Sequence, residues 1–351
     1  MTTDVTLRDT LRLHVREGEL YRSVDEKTLE CFACGHRCLI KDGREGICKI
    51  RFNQGGRLFV PHGYTAGIQV DPIEKKPFFH VLPGAKALSF GMLGCDLHCA
   101  YCQNWITSQA LTDPNAGTDP MIITPQQLTR IAKSYQARIM TSTYNEPLIT
   151  SEWAVEIFKV AKKENMICSY VSNGNATPEV LSYLRPYVDL YKVDLKSFND
   201  KNYRKLGTKL DTVLDSIRLI YESGFWLEVV TLVIPTFNDS DDELRAIAEF
   251  LVSLSPDIPW HVTAFHRDYK MTDPDNTSSE SLFRSAQIGK EAGLHYVYAG
   301  NLPGNLGTLE NTYCHHCQVL LIERVGFRVL QNKIKNDACY HCRTPIPGVW
   351  H

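Results

Sequence analysis

The feature that most constrains the fold is a regular alternation of strand and helix patterns between residues 86 and 300. Apolar runs typical of buried strands, such as KALSFGML (86–93), alternate with amphipathic segments such as LITSEWAVEIFKVAKKEN (148–165). At least six such steps imply a parallel sheet with right-handed crossovers, because parallel strands need a long connection between them. We therefore predict an α/β fold in which a partial (β/α)6 barrel holds its chemistry at the carboxyl ends of the strands.

The length and charge of the chain narrow the classes of protein to which it can belong. A chain of 351 residues is long for one core, so we expect a main domain with smaller modules. The net charge of −2 gives no bulk attraction for nucleic acid or an anionic membrane. No apolar run approaches the ~20 residues that cross a bilayer. The N-terminus mixes charges and lacks the apolar stretch of a secretion signal, so we expect a cytoplasmic protein without a membrane or nucleic-acid partner.

The twelve cysteines fall into groups, and Cys168 stands alone in an apolar strand as an expected core residue. Because the cytoplasm keeps thiols reduced, the groups are interpreted as metal sites rather than disulfides. They define three predicted domains, namely an N-terminal module (1–57), a core barrel (58–305) and a C-terminal module (306–351). The groups are Cys31, Cys34, Cys38 and Cys48; Cys95, Cys99 and Cys102; and Cys314, Cys317, Cys339 and Cys342.

The central group lies in the stretch GCDLHCAYCQNW (94–105), directly after the first predicted strand. Structural zinc sites and ordinary iron–sulfur clusters take four protein ligands, whereas this group supplies three. Three thiolates can hold three irons of a 4Fe–4S cluster and leave the fourth iron open to a molecule with adjacent amino and carboxylate groups. The alternatives are a zinc site completed by His98 and a set of three structural thiols.

The spacing C-x3-C-x2-C after the first strand of a β/α barrel resembles that of the radical S-adenosylmethionine (SAM) superfamily. Three further stretches, VDPIEKKPFFHVLPG (70–84), TYNEP (143–147) and IPGVW (346–350), are similar to the radical SAM enzyme of the AmmeMemoRadiSam system. That family is itself similar to the activating enzymes of pyruvate formate-lyase. The resemblance implies a 4Fe–4S cluster, reductive cleavage of SAM to a 5′-deoxyadenosyl radical, and a low-potential electron donor. It also implies the other two proteins of the named system as partners.

The same resemblance implies a SAM pocket built from the loops after successive strands. TYNEP occupies the place of a Gly-Gly-Glu-Pro segment that holds the SAM amino group, but Tyr144 and Asn145 stand where that segment has glycines. SNG (172–174) and VDLK (193–196) resemble turns of the activating enzymes. The cofactor-binding residues implied in this way are Tyr101, Glu146, Asn173, Asp194, Lys196 and His266.

The resemblance gives several of these side chains individual roles. Asp194 would help to hold a cation near SAM, Lys196 would pair with the SAM carboxylate, and His266 would contact the ribose hydroxyls. Tyr101 would lie beside the adenine. Each has a structural alternative, such as a solvated surface group, a turn cap or a packed histidine. For His80, beside two phenylalanines, packing is the expected role.

The two terminal cysteine groups have different spacings. The C-terminal group forms two C-x2-C pairs with 21 residues between them, which predicts a closed structural zinc site. The N-terminal group, C-x2-C-x3-C with a distant fourth cysteine, can hold zinc or an auxiliary iron–sulfur cluster, and zinc is favoured. The C-terminal module also carries basic and aromatic residues that either contact nucleic acid or form a solvated face. These residues are Arg324, Phe327, Arg328, Lys333 and Lys335.

Three hypotheses of function follow from the residues and the resemblance. The first is a radical SAM enzyme that abstracts hydrogen from an unassigned substrate. The second is an activating enzyme that installs a glycyl radical on a partner enzyme. The third is a non-enzymatic scaffold that carries electrons or binds partners through iron–sulfur and zinc sites. SAM cleavage distinguishes the first two from the third.

Overall fold

The computed structural model describes residues 6–351, and its N-terminal part forms a short helix and two small antiparallel sheets. The helix begins with a capping box in which the Thr6 hydroxyl accepts from the Asp9 backbone N–H and the Asp9 carboxylate accepts from the Thr6 backbone N–H. One sheet has the order β1-β6-β5 and the other β2-β3-β4. The elements are α1 (Leu7–Arg12), β1 (Val15–Glu17), β2 (Tyr21–Ser23), β3 (Thr28–Cys31), β4 (Leu39–Lys41), β5 (Phe52–Gln54) and β6 (Arg57–Pro61).

A single eight-stranded sheet forms the centre of the molecule. The order of its strands is β8-β9-β11-β12-β13-β14-β15-β16. All neighbouring strands are parallel except β8 and β9, which are antiparallel. Strands β7 and β10 pair with each other outside this sheet. Successive crossovers therefore advance one strand at a time in the same direction. The strands are β7 (Tyr64–Thr65), β8 (Gly67–Pro72), β9 (Lys86–Gly91), β10 (Met121–Ile122), β11 (Ile139–Ser142), β12 (Ile167–Ser172), β13 (Leu190–Asp194), β14 (Trp226–Val233), β15 (Trp260–Ala264) and β16 (Val297–Gly300).

The helices that connect these strands begin at residues suited to the start of a helix. Thr124 accepts a hydrogen bond from the Gln127 backbone N–H and is followed by Pro125, which has no N–H to leave unpaired. Ser240 and Ser278 cap two later helices in the same way. The helices are α2 (Trp105–Ser108), α3 (Pro125–Ser134), α4 (Ser151–Lys163), α5 (Pro178–Leu184), α6 (Asp200–Leu206), α7 (Leu210–Glu222), α8 (Asp241–Leu254) and α9 (Ser279–Glu291), with 3-10 turns at Ile73–Lys75, Pro147–Thr150 and Gly307–Glu310.

The main apolar core lies between the sheet and these helices. Fully buried side chains such as Trp153 and Phe158 from α4 pack with Phe90 from β9. Cys168 is also fully buried in this core, as expected for a lone apolar cysteine. Within the described part of the chain, no helix is long and apolar enough to cross a membrane.

The C-terminal residues form a three-stranded antiparallel sheet that packs against the last strands of the central sheet. Tyr296 and Tyr298 join Leu321 and Ile322 in a second apolar cluster. The last residues pack against the segment before β9, where the Val349 backbone N–H donates to the His80 carbonyl at 2.8 Å. The strands are β17 (Thr312–Tyr313), β18 (Leu320–Val325) and β19 (Arg328–Asn332).

The structure differs from the sequence prediction at one edge of the sheet. Its seven parallel strands agree with the prediction of at least six strand-helix steps, but β8 adds an antiparallel strand that the alternating pattern did not indicate. The two edge strands β8 and β16 do not pair with each other, so the sheet is open in the described residues. The predicted boundary after residue 57 falls inside β6.

Candidate active site

A cavity of about 490 Å³ lies against the sheet, and it is lined from the loops at the carboxyl ends of its strands. The loops after β9, β11, β12 and β13 supply one part of its wall. Five of the six predicted cofactor-binding residues and all three central cysteines line this one cavity. They are Cys95, Cys99, Cys102, Tyr101, Glu146, Asn173, Asp194 and Lys196.

Short contacts within the cysteine loop and between the loop and α2 fix its path. The Leu97 backbone N–H donates to the Cys95 sulfur at 3.4 Å, and the Cys102 sulfur lies 3.1 Å from the Ser108 hydroxyl. Burial raises the pKa of the Cys95 thiol, and it raises the pKa of the Cys99 thiol to about 11. These thiols therefore need a nearby positive charge to become thiolates, which a metal centre supplies.

Asp96 is a positioning residue beside the site that the sequence analysis missed. Its carboxylate is buried, and its two oxygens accept hydrogen bonds from the side-chain amides of Asn173 and Asn175, each at 2.7 Å. The His36 ring nitrogen Nε2 lies 3.0 Å from the Asp96 carbonyl oxygen. Asp96 thus joins the cysteine loop to the turn after β12 and to the N-terminal module. An acidic residue between two of the cysteines was the only signal in the sequence.

Glu146 fixes the same turn from the loop after β11. Its Oε1 accepts hydrogen bonds from the Ser172 hydroxyl at 2.7 Å and from the Leu148 backbone N–H at 3.1 Å, and its Oε2 accepts from the Asn173 backbone N–H at 2.8 Å. Burial, and then the charge of Asp96, raise the pKa of Glu146 to about 8. Both carboxylate oxygens of Glu146 therefore already accept hydrogen bonds from the protein, although Glu146 lines the cavity.

The loop after β11 accommodates Tyr144 and Asn145 at the two positions where the resemblance predicts glycine. Tyr144 has a φ of +72°, in the left-handed region that glycine enters most easily. The Asn145 side chain accepts from the Met92 backbone N–H at 3.0 Å, which attaches the loop to the end of β9. At Gly91 a Cβ would lie 2.4 Å from the Thr143 carbonyl oxygen, so this close approach requires glycine.

Asp194 lies between two lysines at the carboxyl end of β13. It pairs with Lys192 and, through Oδ2, with the Lys196 ammonium at 3.4 Å. Burial opposes the charge of Lys196, but the carboxylate of Asp194 favours it, and the pKa of Lys196 lies well above its usual value. Lys192 was missed because a lysine in an apolar strand carries no motif. The site therefore contains one more buried cation than was predicted.

The last two predicted cofactor residues differ in position. Tyr101 is buried in the cavity wall, with its ring 5.8 Å from Phe237, and its hydroxyl has no hydrogen-bond partner among the described residues. His266 does not line the cavity: its side chain is 49% exposed, and its Nε2 lies 3.0 Å from the Gln103 amide. Gln103 lines the cavity in its place. The role of His266 at the ribose remains a prediction.

The C-terminal cysteines form a group that can hold a metal ion. In Cys314, Cys317, Cys339 and Cys342, all four sulfurs lie within 4.8 Å of one another. The Thr344 hydroxyl and backbone N–H lower the pKa of Cys342 to about 6, which favours its thiolate. The structure thus gathers these four ligands as the spacing predicted.

The N-terminal cysteines are placed differently. Among the described residues, neither they nor the three central cysteines gather their sulfurs as closely as the C-terminal group does. Cys31 instead accepts a hydrogen bond from Arg51 Nε at 3.3 Å, and Arg51 makes two contacts of 2.7 Å with the Glu152 carboxylate. Burial raises the pKa of Cys48 to about 12. Metal binding by Cys31, Cys34, Cys38 and Cys48 stays a prediction.

A second group with metal-ligating side chains lies beside the C-terminal module, in Asp257, His295 and His315. The two imidazole rings are stacked, with centroids 4.5 Å apart and planes within 8° of parallel. A metal ion must lie in the plane of each ring that binds it, so two parallel, displaced rings do not share an ion. This group therefore carries no metal-site assignment.

One prediction for the charged face of the C-terminal module is wrong. Arg324 is buried and donates to the Phe79 carbonyl at 2.6 Å, which ties β18 to the core. Phe327, at the tip of the hairpin between β18 and β19, is exposed as predicted and also lines the cavity. Of the others, Arg328 and Lys335 are exposed.

Comparison with known proteins identifies the class. Residues 91–251 match the Radical SAM superfamily. The chain is 34% identical over 336 residues to an uncharacterized protein of Methanocaldococcus jannaschii, a match that covers 95% of this chain and 99% of that protein. It is 22% identical over 224 residues to the pyruvate formate-lyase-activating enzyme of Clostridium pasteurianum, covering 60% and 92%. A solved domain of pyruvate-formate lyase-activating enzyme from Bacteroides vulgatus gives 24% identity and a TM-score of 0.41, and covers 46% of this chain and 98% of that domain.

The chain belongs to the Radical SAM superfamily. Within that class it is a radical SAM enzyme with an unassigned substrate, similar in sequence to pyruvate formate-lyase activating enzymes. The prediction of a radical SAM enzyme is therefore confirmed. The hypothesis of a non-enzymatic scaffold is set aside.

Proposed function

We propose that Cys95, Cys99 and Cys102 hold a 4Fe–4S cluster and that the enzyme binds SAM in the adjoining cavity. The bound cluster and SAM supply a reductive cleavage that yields a 5′-deoxyadenosyl radical for hydrogen abstraction from the substrate. The observation that carries the proposal is that the three cysteines share one cavity with five of the six predicted SAM contacts, Glu146 and Asp194 among them.

The donor set fits such a cluster. Three cysteines on one loop line the cavity, and no fourth cysteine is among the described residues that line it. Their sulfurs do not converge as tightly as those of the C-terminal group, which agrees with ligands for a multi-iron cluster rather than for one ion. The buried thiols also gain most from a cationic centre, because burial alone disfavours their charged form.

The chain's own residues would bind and orient SAM. Lys196, half-buried and strongly favoured in its charged form, suits a carboxylate. The Tyr101 hydroxyl has no partner among the described residues and is available for a polar group of the ligand. Glu146 and Asp96 hold the turn after β12 rigid, so the pocket is formed before the ligand arrives.

We further propose that the C-terminal group binds one structural zinc ion. Zinc–sulfur bonds of about 2.3 Å in a tetrahedron place the sulfurs about 3.8 Å apart. The observed separations are 3.6 Å between the sulfurs of Cys314 and Cys342 and 3.7 Å between those of Cys317 and Cys339. Four thiolates close the site, so it would stabilise the module rather than perform chemistry.

The second candidate function is activation of a glycyl-radical enzyme, which the similarity to pyruvate formate-lyase-activating enzymes supports. Alternatively, the partners are the other two proteins of the AmmeMemoRadiSam system. A low-potential electron donor is needed in either case, and we expect the reaction in the cytoplasm. Electron paramagnetic resonance distinguishes the two: a protein glycyl radical on an added partner selects activation.

The experiment that tests the main proposal is anaerobic reconstitution with iron and sulfide. The loaded enzyme is incubated with SAM and dithionite, and 5′-deoxyadenosine is quantified by mass spectrometry. We expect one cluster per chain at the central cysteines and reductant-dependent formation of 5′-deoxyadenosine. A loaded enzyme that forms none would contradict the proposal.

A further inference from the structure

The segment between β8 and β9 forms a wall of the cavity, and its residues have no role in the proposed function. It begins with the 3-10 turn Ile73–Lys75, and it belongs to the stretch VDPIEKKPFFHVLPG. Glu74, Lys75, Lys76 and Phe79 all line the cavity here. The cluster and SAM contacts lie instead on the loops after β9, β11, β12 and β13. This wall is therefore free for another ligand.

Glu74 is a buried carboxylate with one unused oxygen. The residue is 0% exposed; its Oε1 accepts from the Gly84 backbone N–H at 2.9 Å and lies 3.6 Å from Arg324 Nε. Its Oε2 has no hydrogen-bond partner among the described residues. A buried polar atom without a partner costs about 1–3 kcal/mol. A ligand that donates a hydrogen bond to Oε2 would remove this cost.

Two lysines beside Glu74 share a single carboxylate. The Lys75 ammonium lies 2.9 Å from Asp71 Oδ1, and the buried Lys76 ammonium lies 3.2 Å from Asp71 Oδ2. Because Arg324 faces Glu74, the three cations Lys75, Lys76 and Arg324 exceed the carboxylates of Asp71 and Glu74 by one positive charge. Lys76 also donates to the Tyr144 hydroxyl at 3.0 Å, and Tyr144 belongs to the TYNEP loop. The wall thus adjoins the part of the cavity assigned to SAM.

Aromatic rings border the same space. Phe79 is buried, with its ring 4.8 Å from that of His261, which also lines the cavity. Phe327 reaches the cavity from the C-terminal hairpin. Arg324, on β18 of the C-terminal module, contacts both Glu74 and the Phe79 carbonyl. The C-terminal module therefore helps to build this wall.

We propose that this wall is the substrate-binding part of the cavity and that it binds an organic anion carrying a neighbouring hydroxyl or amino group. Lys76, with Lys75, binds the anionic group, and Glu74 accepts the hydrogen bond from the hydroxyl or amine. This assignment rests on the proposed function, because it places the substrate beside SAM. The anion belongs either to a free metabolite or to a group within a larger molecule.

The test uses extract of uniformly deuterated cells of the organism that makes the protein. The extract is dialysed to separate metabolites from macromolecules, and each part is divided on an anion-exchange resin. Each fraction is added to the reconstituted holoenzyme with SAM and dithionite. The readout is the ratio of deuterated to total 5′-deoxyadenosine, which normalises for SAM cleavage. We expect deuterium only from fractions that the resin retains, and dialysis decides between metabolite and macromolecule.

Lys76→Met and Glu74→Gln variants test the assigned residues. With the active fraction at low concentration, each should lower the deuterium ratio about tenfold or more, which corresponds to about 1.4 kcal/mol of binding. The matched control is Lys86→Met, at an exposed position on the same sheet outside the cavity, which should keep the ratio. Calorimetric titration with SAM verifies that each variant is folded. If one variant does not fold, the other still tests the assignment.

Three outcomes would overturn the inference. They are deuterium from unretained fractions alone, equal ratios for the variants and the control, and no deuterium from any fraction while 5′-deoxyadenosine forms. The proposed function survives all three, because SAM is still cleaved. If the wild-type holoenzyme forms no 5′-deoxyadenosine, the proposed function fails instead.

Discussion

Replacing Asp96 by alanine should strongly destabilise the protein, because two buried amides depend on its carboxylate. Asn173 and Asn175 each donate to Asp96 at 2.7 Å, and both are at least nine-tenths buried. Truncation leaves two buried donors without a partner, at about 1–3 kcal/mol each. We therefore expect the free energy of unfolding to fall by about 2–6 kcal/mol.

The assay is urea unfolding of the cluster-free protein under reducing, anaerobic conditions, followed by circular dichroism. The expected signature is a lower midpoint with an unchanged slope, because the folded state exposes no more surface. The matched control is Asp215→Ala on α7, whose side chain is 68% exposed and, among residues 6–351, pairs only with its neighbour Arg218. Such a surface change should stay within about 0.5 kcal/mol.

A loss below about 1 kcal/mol in Asp96→Ala would refute this reasoning, because the loss expected from two unpaired buried amides is larger. It would mean that water or a shifted turn replaces the carboxylate. The reconstituted variant supplies an independent check. We expect its iron content to decline faster under a chelator than that of Asp215→Ala, because the cysteine loop has lost its connection to the turn after β12.

Three further predictions concern pH, SAM and zinc. The folded pKa of Glu146, about 8, lies above its ordinary value of 4.5. Between these values the unfolded chain binds fewer protons than the folded chain, so the free energy of unfolding should fall as pH rises from about 5 to 8. Glu146→Gln should flatten that slope in urea titrations of the cluster-free protein. Lys196→Met should weaken SAM binding by about 1.5–3 kcal/mol in calorimetry, while the cluster absorbance persists; an unchanged affinity would remove Lys196 from the site. Cys339→Ser should release one zinc ion per chain and expose the C-terminal module to proteolysis; iron in place of zinc in the wild type would contradict a structural zinc site.

The repeating pattern of the sheet could be predicted from the sequence, whereas its edge could not. The parallel strands are apolar runs between amphipathic helices, so periodicity identifies them. In β8 the sequence GIQVDP mixes polar and apolar residues, and it becomes a strand because it pairs along the whole of β9. That long-range pairing leaves no local signal.

The candidate site was predictable where a short motif carries the function. The resemblance carried by the cysteine spacing and by the turns after successive strands implied Glu146, Asp194 and Lys196, which line one cavity. Asp96 and Lys192 have no motif. Only the fold brings Asp96 against the turn after β12 and buries Lys192 beside Asp194, its neighbour on the same face of β13. Burial of this kind depends on tertiary packing, which neither spacing nor propensity encodes.

The most direct test of the central claim compares the reconstituted wild type with a variant in which Cys95, Cys99 and Cys102 are all alanine. The matched control is Cys168→Ala, which removes a buried cysteine outside the cavity. The measurement is 5′-deoxyadenosine formed from SAM and dithionite per chain. We predict formation by the wild type and by Cys168→Ala, and none by the triple variant. Undiminished formation by the triple variant would contradict the account.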